Sequence, residues 1–308
     1  MDKRSDELTV GILSSDDSWH ERVLCEALSK RGIKPARFNP KRFLTRIGLE
    51  ESDDAEDDVS RHEETLSQCD ILFVRALPGG SLEQVVYRMD RLWALAERGT
   101  FVVNHPKTIE RTVDKCYASL TLERCGLKTP PTVVTERSAE ALEAFERWGD
   151  VVVKPLFGSR GKGMCRITDR DVALRVFAAL ELGRYVYYVQ KFIPHGSEDI
   201  RAFVVEGEVV AAMVRKSDSG SWKTNVAGGA RSFPIRPDAE IEAIGKTVAS
   251  AFGGLYLGID ILPASDGGLF VSEVNGIPGF RALTEATGLD VAGLVVDAAL
   301  GRYGREKG

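Results

Sequence analysis

The sequence predicts an α/β protein: a small parallel-sheet unit followed by a larger body of hairpins and helices. Three observations carry this. Short apolar runs alternate with helical stripes from residue 8 to residue 103. Later runs come as strand–turn–strand pairs, such as Asp199 to Val205 and Glu208 to Val214 around Glu206-Gly207. The stretch Leu255 to Arg281 then reads as two alternating strands around the turn Ser265-Asp266-Gly267-Gly268, with acids set among apolar positions. The 308 residues, 43% hydrophobic and 28% charged, describe an ordinary soluble chain with room for a sizeable core.

Leu8 to Leu13 is the first strand, and Ser15-Asp16-Asp17 is placed to cap a helix bearing Trp19, Val23, Leu24, Ala27 and Leu28. Lys30-Arg31-Gly32 ends that helix, and Ile33 to Phe38 is a second strand. Glu50 to Glu64 is acidic and poor in apolar residues, which predicts a solvated loop. Ile71 to Val74 is a buried strand with Arg75 at its end. A helical stripe follows (Leu82, Val85, Val86, Met89, Leu92, Trp93, Leu95), then the strand Phe101 to Val103 and Asn104. Ligands favour the loops at the C-terminal ends of parallel strands, so Arg75 and Asn104 are candidate substrate contacts.

One helix is predicted over Thr108 to Arg124, with Asp114-Lys115 inside it. After Thr132 to Thr135 and a helix from Ala139 to Trp148, the strand Val151 to Lys154 runs into a loop holding Gly158, Ser159, Arg160, Gly161, Lys162 and Gly163. Glycines, cations and a hydroxyl offer backbone N–H groups and positive charge to a polyphosphate. The spacing is not that of a Walker A loop, and Met164 to Ile167 returns as a strand, so the loop belongs to a hairpin. Tyr185 to Ile193 is extended, Ser217 to Gly229 is a polar loop with Lys223 and Asn225, and Pro237 to Phe252 is helical. A single helix is predicted over Leu283 to Leu300.

Asp260 lies in the first strand of the Leu255–Arg281 pair, and Glu273 and Asn275 lie two apart on the second. Two carboxylates and an amide oxygen, without His or Cys, suit Mg2+ or Mn2+. With Lys115, Lys154, Lys223 and the arginines Arg201 and Arg215, they point to a nucleoside triphosphate. Kinase, ligase and nucleotide-binding regulator are all compatible with that set. A net charge of −5 gives no basic field for nucleic acid, and no apolar run spans a membrane. MDKRSDELTV lacks a signal-peptide core, and five scattered cysteines without CxxC spacing read as reduced thiols, so a cytoplasmic protein is expected. His20, His62, His105 and His195 are isolated and read as structural or surface residues.

In order, Asp114-Lys115, VVVKPLFGSRGKGM, VQKFIPHGSEDIRAFVV, SWKTNVAGG and GIDILP…VSEVNGIPGF resemble the ATP-grasp superfamily, and more narrowly the RimK-like α-L-glutamate ligases. The resemblance implies a pre-ATP-grasp α/β domain (1–103), a small subdomain with the glycine-rich loop (104–190) and a C-terminal subdomain with the metal site (191–303). It implies that Lys115, Lys154 and the loop residues Gly158, Ser159, Gly161 and Gly163 contact ATP phosphates. Gln190, Lys191, Phe192 and Ile193 would form the adenine hinge, with Asp199 at or beside the ribose. Arg215, Lys223 and Asn225 would act near the phosphates and the acyl phosphate, and Asp260, Glu273 and Asn275 would hold Mg2+ or Mn2+, as two ions. The family pattern carries Arg near Lys223, so the lysine departs from it and weakens bidentate phosphate binding.

The implied reaction is phosphorylation of a carboxylate by ATP, followed by attack of an amino-acid amine on the acyl phosphate. It needs no protein nucleophile. Arg281, just past Pro278-Gly279, is placed to meet the carboxylate of the incoming L-glutamate, and Arg201 is a further substrate candidate. The stretch LPGGSLEQVVYRMDRLWALAERGTFVVNHPKTIERTVDK resembles the subset adding glutamate to a pterin cofactor such as tetrahydromethanopterin. The acceptor expected is therefore a small-molecule or cofactor carboxylate, with a protein C-terminus as the alternative. A non-catalytic ATP-binding regulator and a small-molecule kinase are the readings from other classes. The resemblance also implies a homo-oligomer.

Overall fold

The computed structural model describes residues 8–15, 17–48, 58–158, 163–218, 220–224 and 230–307. The early apolar runs form a first sheet from β1 (Val10–Leu13), β2 (Ala36–Phe38), β3 (Ile71–Val74) and β4 (Phe101–Val103). Its order is β2-β1-β3-β4 and every pair is parallel. Helices α1 (Trp19–Ser29), α2 (Asp58–Ser67) and α3 (Leu82–Glu97) lie along the connections. Strands β1 and β3 are buried throughout, as crossovers on both faces require.

Three local expectations change here. The cap of α1 is Ser18, whose hydroxyl accepts from the Glu21 N–H at 3.2 Å; Asp16 lies outside the described residues. The part of the acidic stretch from residue 58 onward is helix α2, not loop. Glu63 is not solvated: it pairs with Arg91 at 2.5 Å and accepts from the Leu44 N–H at 2.8 Å, next to fully buried Leu66. Residues 50–57 lie outside the described residues. On α3, Met89, Leu92 and Leu95 enter the core, but Leu82, Val85 and Val86 are exposed, so the stripe is core-facing only from Met89 onward.

The helix expected over 108–124 is two, α4 (Pro106–Val113) and α5 (Lys115–Arg124). Asp114 takes an extended conformation between them, and its carboxylate caps α5 by accepting from the Tyr117 N–H at 3.0 Å. Lys115 thereby opens a helix. The second sheet contains β5 (Thr132–Thr135), β6 (Val151–Lys154), β7 (Cys165–Ile167) and β8 (Tyr187–Lys191), antiparallel in the order β5-β8-β6-β7. Helices α6 (Ser138–Trp148) and α7 (Arg170–Leu182) cover it through Phe145 and Phe177.

The third sheet contains β9 (Glu198–Val205), β10 (Glu208–Lys216), β11 (Arg231–Ile235), β12 (Tyr256–Pro263) and β13 (Leu269–Asn275). It is antiparallel in the order β11-β10-β9-β12-β13. Strand β11 was not expected: Pro234 disguises it, and proline is tolerated because the strand lies at the edge. Helix α8 (Ala239–Phe252) precedes β12. The helix expected over 283–300 is also two, α9 (Arg281–Thr287) and α10 (Val291–Lys307), parted at Gly288, whose φ of 71° ends α9.

The third sheet is covered on both faces. Leu257, Ile259, Ile261 and Val271 pack on α8 and on Ala118 and Leu122 of α5. Phe203, Val205, Met213 and Tyr256, on the other face, share a core with β1, β3, α1 and α10. The period of two carries that second face onward to Arg201, Asp199, Arg215 and Asp260, where apolar side chains give way to charge.

Candidate active site

Strands β12 and β13 pair so that Asp260 faces Glu273 and Gly258 faces Asn275. The grouping expected of the three oxygen donors is therefore present. Gly258 is required: a Cβ there would lie 2.4 Å from Arg201 Nη1 and 2.7 Å from Pro278 Cβ. Arg201 Nε lies 2.6 Å from Asp260 Oδ1 and its Nη2 donates to Oδ2 at 3.1 Å; Arg215 Nη2 lies 2.9 Å from Oδ1. Burial alone would raise the Asp260 carboxyl, but the two guanidinium groups outweigh it and hold it below the usual range. Glu273 moves the opposite way, raised by burial and then by the Asp260 charge. Two facing buried carboxylates with opposed shifts are the electrostatic pattern of a functional site.

The donor set fits a divalent ion. Two carboxylates face each other across β12 and β13, and the Asn275 amide oxygen stands beside them on β13. Asn275 Oδ1 also accepts from the Ile277 N–H at 2.9 Å, which fixes its orientation. No group of three or more His, Cys, Asp and Glu side chains that could hold a metal occurs among the described residues; the third donor here is an amide.

Opposite this end lie the lysines of α5 and the second sheet. Lys154, at the end of β6, donates to Gln190 Oε1 at 2.7 Å, and Gln190 Nε2 donates to Thr132 Oγ1 at 2.9 Å and Tyr188 OH at 3.2 Å. Gln190 is thus a buried holder of Lys154. Lys115 donates to the Gly158 carbonyl at 2.8 Å, tying α5 to the start of the glycine-rich loop. Burial lowers both amines; for Lys154, with Lys115 adding to it and Glu273 opposing it, the value falls to about 8. A lysine near 8 loses its proton as pH rises, and with it the charge that a bound phosphate would meet. ATP affinity of the free protein should therefore fall by up to about tenfold between pH 7 and 9. Calorimetric titration across that range, with Lys154→Arg staying flat, checks it.

Lys223 donates to the Met164 carbonyl at 3.0 Å, joining the polar loop before β11 to the hairpin that carries the glycine-rich loop. Gly163 is described beside Met164; Ser159, Gly161 and Asn225 lie outside the described residues. In the segment expected as the adenine hinge, the Lys191 N–H is engaged by the Pro131 carbonyl at 2.8 Å. Ile193 is buried, and Phe192 stacks under the Arg166 guanidinium at 3.5 Å.

Several side chains are used differently than expected. Asp199 does not open toward a ribose: both its oxygens are taken by Arg215 (2.7 and 2.6 Å) and Oδ2 also by Thr224 (2.5 Å), all buried. Asn104 is not a substrate contact. Its Nδ2 donates to the carbonyls of Tyr256 (2.6 Å) and Gly276 (2.7 Å), and its Oδ1 accepts from the Leu255 N–H (2.7 Å), so it staples the first sheet to β12 and β13. Arg75 is likewise turned inward, donating to Tyr256 OH (2.8 Å) and the Pro278 carbonyl (2.9 Å). Arg281 is exposed at the start of α9, paired with Glu285 at 2.8 Å and 5.9 Å from the Trp19 ring centre. Among the positions missed in sequence are Thr224, Thr132, Thr112 and His20. Their signal is a lone hydroxyl or imidazole at an element end, which is indistinguishable from a cap. His20, read as isolated, accepts from the Phe280 N–H at 3.0 Å.

The Glu273 charge acts on both Lys115 and Lys154, so the two lysines and the facing carboxylates form one cluster between the second and third sheets. The same architecture is found in the ATP-grasp ligase PsnB complexed with minimal precursor, Mg and ADP, with a TM-score of 0.71 at 20% identity over 96% of this chain and 98% of that one. Residues 112–299 match the RimK-like ATP-grasp domain. A tetrahydromethanopterin:alpha-L-glutamate ligase of Methanosarcina acetivorans is 30% identical over 94% of this chain and 97% of its own. An alpha-aminoadipate–LysW ligase, LysX, of Saccharolobus solfataricus is 29% identical over 91% and 97%. The protein is an ATP-dependent ligase forming C–N bonds. The chain belongs to the RimK-like ATP-grasp family, whose cofactors are ATP and Mg2+. No helix among the described residues is long and apolar enough to cross a membrane.

Proposed function

We propose that this ligase joins the amine of L-glutamate to a carboxylate of a small pterin-type cofactor. The observation that carries this reading is the 30% identity to the tetrahydromethanopterin ligase over nearly the whole chain, including the first sheet that lies outside the matched ATP-grasp domain. In the reaction, Lys115 and Lys154 bind and orient the ATP phosphates while the acceptor carboxylate attacks the γ-phosphorus. ADP leaves, and the glutamate amine then displaces phosphate from the acyl phosphate. Asp260, Glu273 and Asn275 would hold Mg2+, as two ions, and the metal would supply positive charge against that developing on the phosphates. Arg215 and Arg201 keep Asp260 ionised and in place, and Arg215, Lys223 and Asn225 act near the phosphates and the acyl phosphate. The working units are 1–103, 104–190 and 191–303, in a cytoplasmic homo-oligomer.

The test is phosphate release from ATP and Mg2+ with glutamate and a panel of carboxylate acceptors, followed by mass spectrometry of each acceptor. One glutamyl residue gained on a pterin is the expected result. Glutamate-dependent phosphate release with every pterin unchanged would overturn the acceptor and favour a protein C-terminus, for which the similarity to LysX speaks.

A further inference from the structure

We propose that Arg75 is a positioning residue for the metal-binding end of β13. It acts from the first sheet by fixing the turn Gly276–Phe280, and through that turn the amide of Asn275. Arg75 ends β3 and is only 9% exposed. Its two terminal nitrogens hold one point of the third sheet and one of the turn that follows it: Nη1 donates to Tyr256 OH at 2.8 Å and Nη2 to the Pro278 carbonyl at 2.9 Å. Its guanidinium lies 5.9 Å from the Tyr256 ring centre and 5.3 Å from that of Phe280. The turn is gripped from the same side elsewhere. Thr112 Oγ1 accepts from the Gly276 N–H at 3.1 Å, Asn104 donates to the Gly276 carbonyl, and His20 accepts from the Phe280 N–H. Inside the turn, the Ile277 N–H sets the Asn275 oxygen. Moving Pro278 therefore moves the donor.

The choice of residue supports the assignment. A buried guanidinium is costly, and Arg75 has no carboxylate partner among the described residues; its partners are a phenol, a carbonyl and two ring faces. A methionine would fill the space without that cost. What methionine lacks is a planar fork that holds two acceptors at a fixed angle.

The inference rests on the reading of Asn275 as a metal donor, and the experiment separates the two. Mn2+ binding to the full chain with ADP is measured by electron paramagnetic resonance for the wild type, Arg75→Met, Tyr256→Phe and Asn275→Ala. Arg75→Met is expected to weaken Mn2+ by about 10–100-fold, with metal-free ADP affinity unchanged. Tyr256→Phe, which removes one acceptor and keeps the ring, is expected to weaken Mn2+ by less than Arg75→Met does. Wild-type Mn2+ affinity in folded Arg75→Met, with Asn275→Ala weakened, overturns the inference alone. If Arg75→Met does not fold, wild-type affinity in Tyr256→Phe overturns it. Unchanged affinity in Asn275→Ala overturns the metal assignment and the inference with it.

Discussion

A Glu273→Gln enzyme is expected to turn over about 10³-fold more slowly than the wild type while folding at least as well. The loss comes from charge, since glutamine keeps the size and an oxygen but removes one of the two carboxylates facing across β12 and β13. The gain in folding follows from linkage. The Glu273 carboxyl is raised by burial and by Asp260, so its ionised form opposes the folded state at neutral pH, and a neutral amide removes that opposition. The fall in metal-free ATP affinity with pH should move to lower pH in the variant, because the Glu273 charge is what raises Lys115 and Lys154 against burial. Turnover within tenfold of wild type, or a lowered melting temperature, would contradict the assignment.

The second large effect is on stability. Arg215→Met should destabilise the protein by about 3–5 kcal/mol, the cost of breaking a buried ion pair from one side. Asp199 would keep only Thr224, and Asp260 would keep only Arg201, of the side-chain partners found among the described residues. The deficit has a pH signature. A stranded Asp199 carboxylate has its folded pKa raised above its unfolded value, so the variant's penalty is full at neutral pH and shrinks as acid protonates the group. The double variant Arg215→Met with Asp199→Asn should recover part of the loss. Urea unfolding at neutral and mildly acidic pH measures both, and an unchanged midpoint for the single variant would show the pair to be dispensable.

How far the sequence could be read depended on which physical signal each position carried. Period-two alternation placed Leu257, Ile259 and Ile261 in a buried strand, and the same alternation put Asp260, Glu273 and Asn275 together before any coordinates. The parallel first sheet followed from the alternation of apolar runs with helical stripes. Periodicity failed where one residue interrupts it: Asp114 keeps the helical spacing of its neighbours yet caps a new helix, and Gly288 ends α9 before α10 begins. Buried polar partners were harder still. Asp199 as a ligand for ribose and Asp199 as a counter-ion for Arg215 look alike in one dimension, and only the β9–β10 register decides between them. Arg75 and Asn104 sit at strand ends where ligands often bind, but here those ends abut β12 and the turn after β13, so both side chains are spent on backbone and phenol. Leu82, Val85 and Val86 carry an apolar period that the core does not use.

Phe203 and Arg201 on β9, and Met213 and Arg215 on β10, stand two residues apart on one face of the third sheet, so a single pleat separates oil from charge. Selection on such a core is chemical as well as steric. A change in volume at Phe203 or Met213 tilts a guanidinium next door, and with it Asp260. Freedom to drift lies across the sheet, at Ile244 and Val248 of α8, whose neighbours are other apolar side chains. Part of what looks like interior in this enzyme is therefore inherited as active site.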